Sequence, residues 1–524
     1  ISLVFLATVI IIGASFLGLT IGQARFVDLS IYGLVVLGAL YLCYLYKFTW
    51  QIALFLIFSG IQLNYGFRLS SQQYAAALLL VYGVLILLLR SNPYSRPEFF
   101  RRIHASRLMW FTGLLLAFGI CSFAVNWVIP YDGGTYALKN MLKAYSNTFS
   151  SVVILFLALL FPYSFRVGNR VVPTILSILL ISLLLNFANT YYLFRQGYGG
   201  VSILTEEGGA IGLLYIPIIN ASIGVFTMRV LAPMAVIFSF AFLCQRGWFP
   251  RQSNYLKVVT LSVLGLGLLG SMVSGGRAAV LLSIMYVGVL SLVNRRIVMM
   301  AVAACIVAMI VLFANIFSGF INKDLPVYVA RPLQYVMIEK GGAMNSIENS
   351  SDYRSELFSE AISEWQEDTR VMLLGRSVYQ AMDYAALKGI VGDKESFVMV
   401  NLNSGTCHAL LPSVLIQYGI GGCVLYYAVY FMLIRFFCKS YKAARSEIYS
   451  EELRMISFLM AISTSIGILI ATIGGSWFGG LQVVMIILIK SMAARDELAF
   501  QRSQASQRSV DENSAIAAVP AWST

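Results

Sequence analysis

Residues 297–317 read IVMMAVAACIVAMIVLFANIF, an uncharged stretch that directly follows Arg295 and Arg296. At about 1.5 Å per residue, a helix of this length crosses the roughly 30 Å of hydrocarbon in a lipid bilayer. The arginines before it would remain at the membrane surface, where charged side chains keep their water. The stretch therefore predicts a transmembrane helix.

The whole chain shares this apolar character. Hydrophobic residues make up 59% of it and charged residues 12%, whereas a soluble domain carries about 25% charged residues. The apolar runs predict an all-α polytopic membrane protein with about 14 transmembrane helices. The predicted spans are Leu3–Ile21, which is expected to be a retained helix, Leu29–Tyr46, Phe48–Tyr65, Tyr74–Leu89, Leu108–Val128, Phe149–Phe165, Val171–Leu193, Ala221–Cys244, Leu256–Val273, Ala278–Val293, Ile297–Phe317, Leu410–Ile434, Met455–Ile473 and Phe478–Ile489.

Basic residues occur in alternate connections between these runs. Lys and Arg near the ends of a span resist translocation, so these connections predict the cytoplasmic face, with both chain ends on that side. The net charge of +13 is spread among short connections and forms no single patch, so we expect membrane lipids as partners and no nucleic acid. The residues concerned are Arg90, Arg96, Arg101, Arg102, Arg107, Arg166, Arg170, Arg246, Arg251, Lys257, Arg295, Arg296, Arg435, Lys439, Lys442 and Arg445.

This topology divides the chain into four parts. Residues 1–317 form transmembrane helices 1–11, 318–407 one large loop on the outer face, 408–493 helices 12–14, and 494–524 a disordered cytoplasmic tail. The loop far exceeds about 15 residues, the length above which a connection is usually functional or disordered. In it, Ser350, Ser351 and Asp352 predict the start of an amphipathic helix that continues through Trp365.

Two histidines occur in the chain, and they differ in position. His408 lies where the outer loop re-enters the membrane, and an imidazole there can accept a proton from a hydroxyl near physiological pH. A histidine at the interfacial end of a helix is the alternative interpretation. His104 lies among arginines of a cytoplasmic connection and is expected to be a solvated loop residue.

Four arginines on the outer side are candidates for one anionic site. Arg277 follows Ser274-Gly275-Gly276 between two apolar runs, where a charge is expected to face a cavity, a partner or, alternatively, the membrane surface by snorkelling. Arg354 opens the loop helix, where backbone N–H groups and a guanidinium could hold a phosphate together; a solvated surface arginine is the alternative. Arg229 and Arg376 are further candidates.

These residue types suit attack by a hydroxyl on a carbon that carries a diphosphate leaving group. The arginines would neutralise the developing charge, and His408 would accept the proton. No cluster of metal-ligand character is found in the outer connections, so neither a metal nor another cofactor is predicted. Because nucleotide sugars are cytoplasmic, the glycosyl donor would arrive on a lipid diphosphate.

Several motifs, mainly between Arg229 and Gly422, together resemble the O-antigen ligase and Wzy-type polysaccharide polymerase superfamily of bacterial envelope glycosyltransferases. The motifs are the Ser274-Gly275-Gly276-Arg277-Ala278-Ala279 turn, Tyr353-Arg354 at the opening of a helix, Leu374-Gly375-Arg376, and His408 followed by Leu410, Leu411 and Tyr418-Gly419. The resemblance implies a C-type glycosyltransferase fold in the bacterial inner membrane, with the large loop and the active site in the periplasm. It also implies an undecaprenyl-diphosphate-linked glycan as donor, no metal, His408 as catalytic base, and Arg277 and Arg354 as diphosphate-binding residues.

The resemblance leaves the reaction partner open. A repeat-unit polymerase would transfer glycan to a sugar hydroxyl of another lipid-linked unit, and would work with a chain-length regulator and a flippase. An O-antigen ligase would transfer finished polymer to lipid A core. A lipid-linked oligosaccharide flippase or transporter is a third class, although such folds usually contain internal repeats and sites at the bilayer midplane. Of these, the polymerase is our leading hypothesis.

Overall fold

The structure, a computed structural model, describes most of the helical part of the chain. The described residues are 48–63, 71–89, 98–103, 105–125, 152–160, 165–195, 215–216, 221–223, 227–244, 252–274, 277–323, 333–334, 337–338, 343–375, 407, 409–474 and 480–517. The predicted spans Leu3–Ile21 and Leu29–Tyr46 lie outside these ranges, as do His104, Arg376 and His408.

Apolar helices dominate the described residues. In chain order they are α1 Thr49–Ser59, α2 Ser71–Leu89, α3 Glu98–Arg102, α4 Ala105–Val125, α5 152–160, α6 Val171–Arg195, α7 Thr227–Cys244, α8 Asn254–Val273, α9 Arg277–Val293, α10 Ile297–Ile316, α11 Ser318–Lys323, α12 Ala343–Glu367, α13 Thr369–Leu374, α14 Leu410–Ala443, α15 Glu451–Gly474 and α16 Gly480–Ala517. Within the described ranges, 6 helices are long and apolar enough to cross a bilayer, namely α4, α6, α7, α8, α14 and α15. The prediction of a multi-pass helical membrane protein is therefore confirmed, and the total of about 14 spans stays a prediction.

The predicted spans Phe48–Tyr65 and Ala221–Cys244 both differ from the observed elements, and they differ at two strands that pair with each other. Helix α1 ends at Ser59, and Gly60 then adopts a left-handed backbone with φ 67°. The chain continues as strand β1, Ile61–Leu63, instead of as helix to Tyr65. The prediction of a helix from Ala221 is likewise wrong at its start, because residues 221–223 form a strand before α7.

These short strands form a small sheet. Strand β3, Ala221–Ile223, pairs antiparallel with β1, so that Ile61 lies opposite Ile223. Strand β2, Tyr215–Ile216, pairs with the other edge of β3. The pairing satisfies backbone N–H and C=O groups after the end of α1 and before the start of α7. The apolar composition of these residues did not indicate strands.

We call the helix ends that the positive-inside pattern predicts to be cytoplasmic the basic end, and the opposite helix ends the loop end. The basic end includes the residues around Arg101, Arg170, Lys257 and Lys442. Here the Arg296 guanidinium donates to the Cys244 carbonyl at 3.3 Å, which joins the α9–α10 connection to the end of α7.

A polar network at the basic end holds α3, α15 and α16 together. The Asp496 carboxylate accepts the Ser450 N–H at 2.8 Å and is paired with Arg495 at 2.7 Å. The neighbouring Glu497 carboxylate accepts the N–H groups of Glu98 and Phe99, both at 2.9 Å. Each carboxylate thus satisfies free N–H groups at the start of a neighbouring helix.

Two predictions about helix limits are wrong in the described residues. Helix α16 continues to Ala517, although the chain was predicted to be disordered from residue 494, because its sequence here contains Ala, Arg, Gln and Glu without Gly or Pro. Helix α12 begins at Ala343, so Ser350, Ser351 and Asp352 lie inside it instead of capping it. Two glycines precede Ala343, and no Gly or Pro stops the helix after it.

Candidate functional site

Arg229 is attached to the turn that precedes Arg277. It lies half-buried in the first turn of α7, and its Nε donates to the Ser274 carbonyl at 3.2 Å. Ser274 caps the C-terminal end of α8, and Arg277 is the first residue of α9. Arg229 thus contacts a residue only three positions before Arg277, although residues 229 and 277 are far apart in the sequence.

Close packing fixes the position of this turn. The hydroxyls of Ser271 on α8 and Ser283 on α9 are 2.7 Å apart in a buried hydrogen bond. Gly270 allows α8 to approach Ala232 of α7, where an added Cβ would lie 3.1 Å from the alanine methyl. Because the three helices pack closely near their ends, the end of α8 at Ser274 is held in place.

Positive charge is concentrated at this point. Arg277 begins a helix, and the N-terminus of a helix carries a partial positive charge of its own. The half-buried Arg229 guanidinium, bonded to the Ser274 carbonyl, adds a second positive charge close to this helix start. The arrangement around Ser274 is chemically suited to a phosphate or diphosphate group.

The second part of the candidate site lies where α12 packs on α14. Leu357 and Ala361 of α12 form a buried cluster with Cys407 and with Ile416 of α14. The Cys407 N–H donates to the Ser413 hydroxyl at 2.9 Å, and this anchors the chain just before α14. Position 408, predicted to be the catalytic base, directly follows this anchored residue.

Arg354 belongs to the same helix as the residues that contact Cys407. It precedes Leu357 by one helical turn, so the backbone at Arg354 lies close to the point where the loop re-enters the bundle. The predicted role of exposed N–H groups at Arg354 is wrong, because α12 begins at Ala343 and these groups are inside the helix. The predicted role of its guanidinium is unaffected and stays a prediction.

A third contact brings two quoted motifs together. Gly375 follows α13 with φ 74°, and Gly419 interrupts the helical backbone inside α14 with φ 62°. A Cβ on Gly419 would lie 2.5 Å from the Leu373 carbonyl oxygen and 2.6 Å from the Gly375 nitrogen. The backbones of Leu374-Gly375 and Tyr418-Gly419 therefore touch, which only glycine permits.

Neighbouring side chains secure α13 in this position. The Trp365 indole donates to the Met372 carbonyl at 3.1 Å, and the Ser122 hydroxyl of α4 donates to the Leu374 carbonyl at 2.8 Å. The chain after Gly375, which leads to Arg376, thus starts from a fixed point beside α14. Arg376 itself lies outside the described residues.

The predicted site residues fall into two groups at the loop end. One group surrounds Ser274 and includes Arg229 and the first residue of α9, Arg277; the other surrounds α14 and includes the α12 backbone at Arg354. Helix α15 packs against α7, α9 and α14, which are helices that carry residues of the two groups. In the described ranges, no group of three or more His, Cys, Asp or Glu residues could hold a metal ion.

Sequence reasoning missed three parts of this arrangement. Ser413 and Ser122 gave no sequence signal, because a single hydroxyl within an apolar helix is common. Gly419 did give one, since a glycine inside a predicted helix can mark a close backbone approach or a break, and Gly421 and Gly422 follow it. No protein-family model matches the chain, and no curated protein matches its sequence.

Proposed function

We propose that this protein is a bacterial surface polysaccharide polymerase of the inner membrane. It transfers glycan from undecaprenyl diphosphate to a sugar hydroxyl of another lipid-linked repeat unit, without a metal ion, at a site that faces the periplasm. The observation that carries the proposal is the packing of Cys407 against Leu357 and Ala361. This packing joins the chain before His408 to the helix that carries Arg354.

The proposed reaction uses residues of both groups. The acceptor hydroxyl oxygen attacks the anomeric carbon of the donor, and the bond from that carbon to the diphosphate oxygen breaks. His408 takes the hydroxyl proton, and Arg277, Arg354 and Arg229 neutralise the negative charge that passes to the undecaprenyl diphosphate. Arg376 is a further candidate for this anionic site.

The location at the loop end favours a lipid-linked donor. Arg229 lies in the first turn of a membrane-spanning helix, so the anionic site stands at the boundary between the bilayer and the loop. A diphosphate on a polyprenyl chain reaches this level while its hydrocarbon stays in the membrane. A C-type glycosyltransferase fold, with its soluble part above the membrane helices, would bring the acceptor sugar from the opposite side.

The direct test is an assay with purified protein. Reconstituted protein and lipid-linked repeat units isolated from the source cells should yield a ladder of longer lipid-linked glycans. One undecaprenyl diphosphate should be released for every new glycosidic bond. Products that appear only after addition of lipid A core would indicate a ligase, and donor that crosses the vesicle membrane unchanged would indicate a flippase. Either result would overturn the polymerase assignment.

The Arg229→Gln substitution should reduce the rate of polymer formation at least about tenfold, because it removes a cation from the proposed diphosphate site. Arg296→Gln is a matched control. Both arginines are half-buried and donate to a backbone carbonyl at a helix C-terminus. Arg229 donates to Ser274, just after α8, at 3.2 Å, and Arg296 donates to Cys244, the last residue of α7, at 3.3 Å. Each variant should lose on the order of 1 kcal/mol of stability, because each loses the hydrogen bonding to one backbone carbonyl.

Polymer formation and thermal unfolding should be measured on the same preparations of these two variants. Arg296→Gln should retain the parent rate, since Arg296 lies at the basic end. Equal loss of activity in both variants would assign Arg229 a purely structural role.

A further inference from the structure

Three cations line one cleft at the basic end. Arg107, in the first turn of α4, lines a shallow surface cleft together with Arg435 and Lys439 of α14. Arg435 and Lys439 are four residues apart on one helix, so their side chains project from the same face. The site is on the opposite side of the membrane from the proposed catalytic site.

Like charges repel in this arrangement. The charges of Arg107 and Arg435 both act on the Lys439 ammonium. In the part of the chain that the structure describes, no ion pair includes Arg107, Arg435 or Lys439. Three cations held together without a carboxylate favour a bound anion.

The rest of the cleft is apolar. Met432 and Phe436 of α14 form part of its wall. Beside it, Trp110 of α4 and Phe431 of α14 expose 68% and 60% of their surface and lie one turn from Arg107 and Arg435 respectively. Exposed aromatic side chains next to cations mark the level at which a membrane helix meets lipid headgroups. The exposed Trp110 and Phe431 beside Arg107 and Arg435 thus suit a surface in contact with lipid headgroups.

We propose that this cleft, which we call the cationic cleft, binds the phosphate group of an anionic phospholipid. The guanidinium groups of Arg107 and Arg435 donate to the phosphate oxygens, Lys439 adds a third charge, and the acyl chains pack along Phe431 and Trp110. The shared chemistry is a phosphate anion, so a free phosphate ion is the other source to be distinguished. The proposal does not rest on the glycosyltransferase assignment.

The test measures lipid binding by native mass spectrometry of the full-length protein. We expect phosphatidylglycerol to remain bound to the parent protein, and phosphatidylcholine with the same acyl chains to dissociate. The variant Arg107→Gln/Arg435→Gln/Lys439→Gln should bind phosphatidylglycerol about 100-fold more weakly, since each surface cation contributes about a factor of five or more. If this variant does not fold, Arg435→Gln alone, at an exposed position, should bind about fivefold more weakly.

The matched control is Arg166→Gln/Arg170→Gln/Lys257→Gln. It removes the same charge from connections at the basic end, outside the cleft. Binding within about threefold of the parent is expected for this control. Displacement of the lipid by millimolar inorganic phosphate would support a phosphate site that also accepts the free ion. Equal binding of both lipids, or equal loss in the two triple variants, would overturn the proposal.

Discussion

Gly419→Ala is expected to release α13 from α14. The alanine would keep a backbone with φ 62°, which costs an L-residue about 1–2 kcal/mol, and its methyl group would press on the Leu373 carbonyl and the Gly375 nitrogen. The obstacle is backbone, so no side-chain rotation relieves it, and overpacking adds about 1–3 kcal/mol. The contact of α13 with α14 should therefore lose about 3 kcal/mol of stability, so that α13 separates from α14 more often.

Limited proteolysis measures this local opening directly. A loss of about 3 kcal/mol corresponds to an open population about 100-fold larger, and cleavage within residues 369–375 should accelerate in proportion when reclosing is fast. Gly375→Ala should behave in the same way, because its added Cβ would meet the backbone of Gln417 and Tyr418. Glycosyl transfer should fall as well, since the α13 contact positions the loop above the proposed site.

Gly265→Ala is the matched control for this prediction. Gly265 lies in α8, has no heavy atom within 4 Å of an added Cβ and has an ordinary helical backbone. Alanine there should be neutral or raise stability by up to about 1 kcal/mol. If Gly419→Ala were cleaved no faster than Gly265→Ala, the close contact between α13 and α14 would be disproved.

The sequence predicted several of the membrane helices well, for a physical reason, although α14 and α16 extend beyond their predicted ends at Ile434 and Ile489. The length of a membrane helix follows from the thickness of the hydrocarbon layer, so an apolar run such as residues 297–317 fixes both its type and its limits. The observed helix, Ile297–Ile316, differs from this prediction by one residue. Position at the membrane also explains why the basic residues lie in alternate connections.

The breaks between helices could not be predicted in this way. Strand β1 exists because Ile61 pairs with Ile223, and nothing in either short segment identifies a partner so distant along the chain. The start of α12 was misplaced because Ser350 and Asp352 are good capping residues that the helix simply includes. Local sequence signals identify residues that could begin or end a helix, and tertiary contacts determine which of them do so.

The same distinction applies to the candidate site. Arg229 and Arg277 were identified from their positions in apolar runs, but the bond from Arg229 to Ser274 depends on how α7 and α8 pack. The contact between Gly375 and Gly419 likewise joins two motifs that the sequence showed only in order. The packing therefore brings Arg229 to Ser274 and Gly375 to Gly419, and the chain order alone showed neither contact.

His408→Ala is expected to abolish polymer formation. A general base contributes about 100-fold to 10,000-fold to a rate, so an alanine at this position should leave less than about 1% of the activity. Because alanine is small and Cys407 is anchored by Ser413 and Leu357, the preceding backbone should keep its position. The loss would then report on the missing imidazole, measured as undecaprenyl diphosphate released by the reconstituted protein.

Two controls separate this effect from a general loss of structure. His104→Ala removes the other histidine, which is predicted to lie on the cytoplasmic side, and should leave the rate unchanged. Cys407→Ala disturbs the buried contact with α12 but keeps the imidazole, so it should lower stability by about 1 kcal/mol and retain most of the rate. The base assignment fails if folded His408→Ala protein releases undecaprenyl diphosphate as fast as the His104→Ala control. In that case the proton of the acceptor hydroxyl must pass to another group, and the packing of Cys407 against α12 would serve the fold alone.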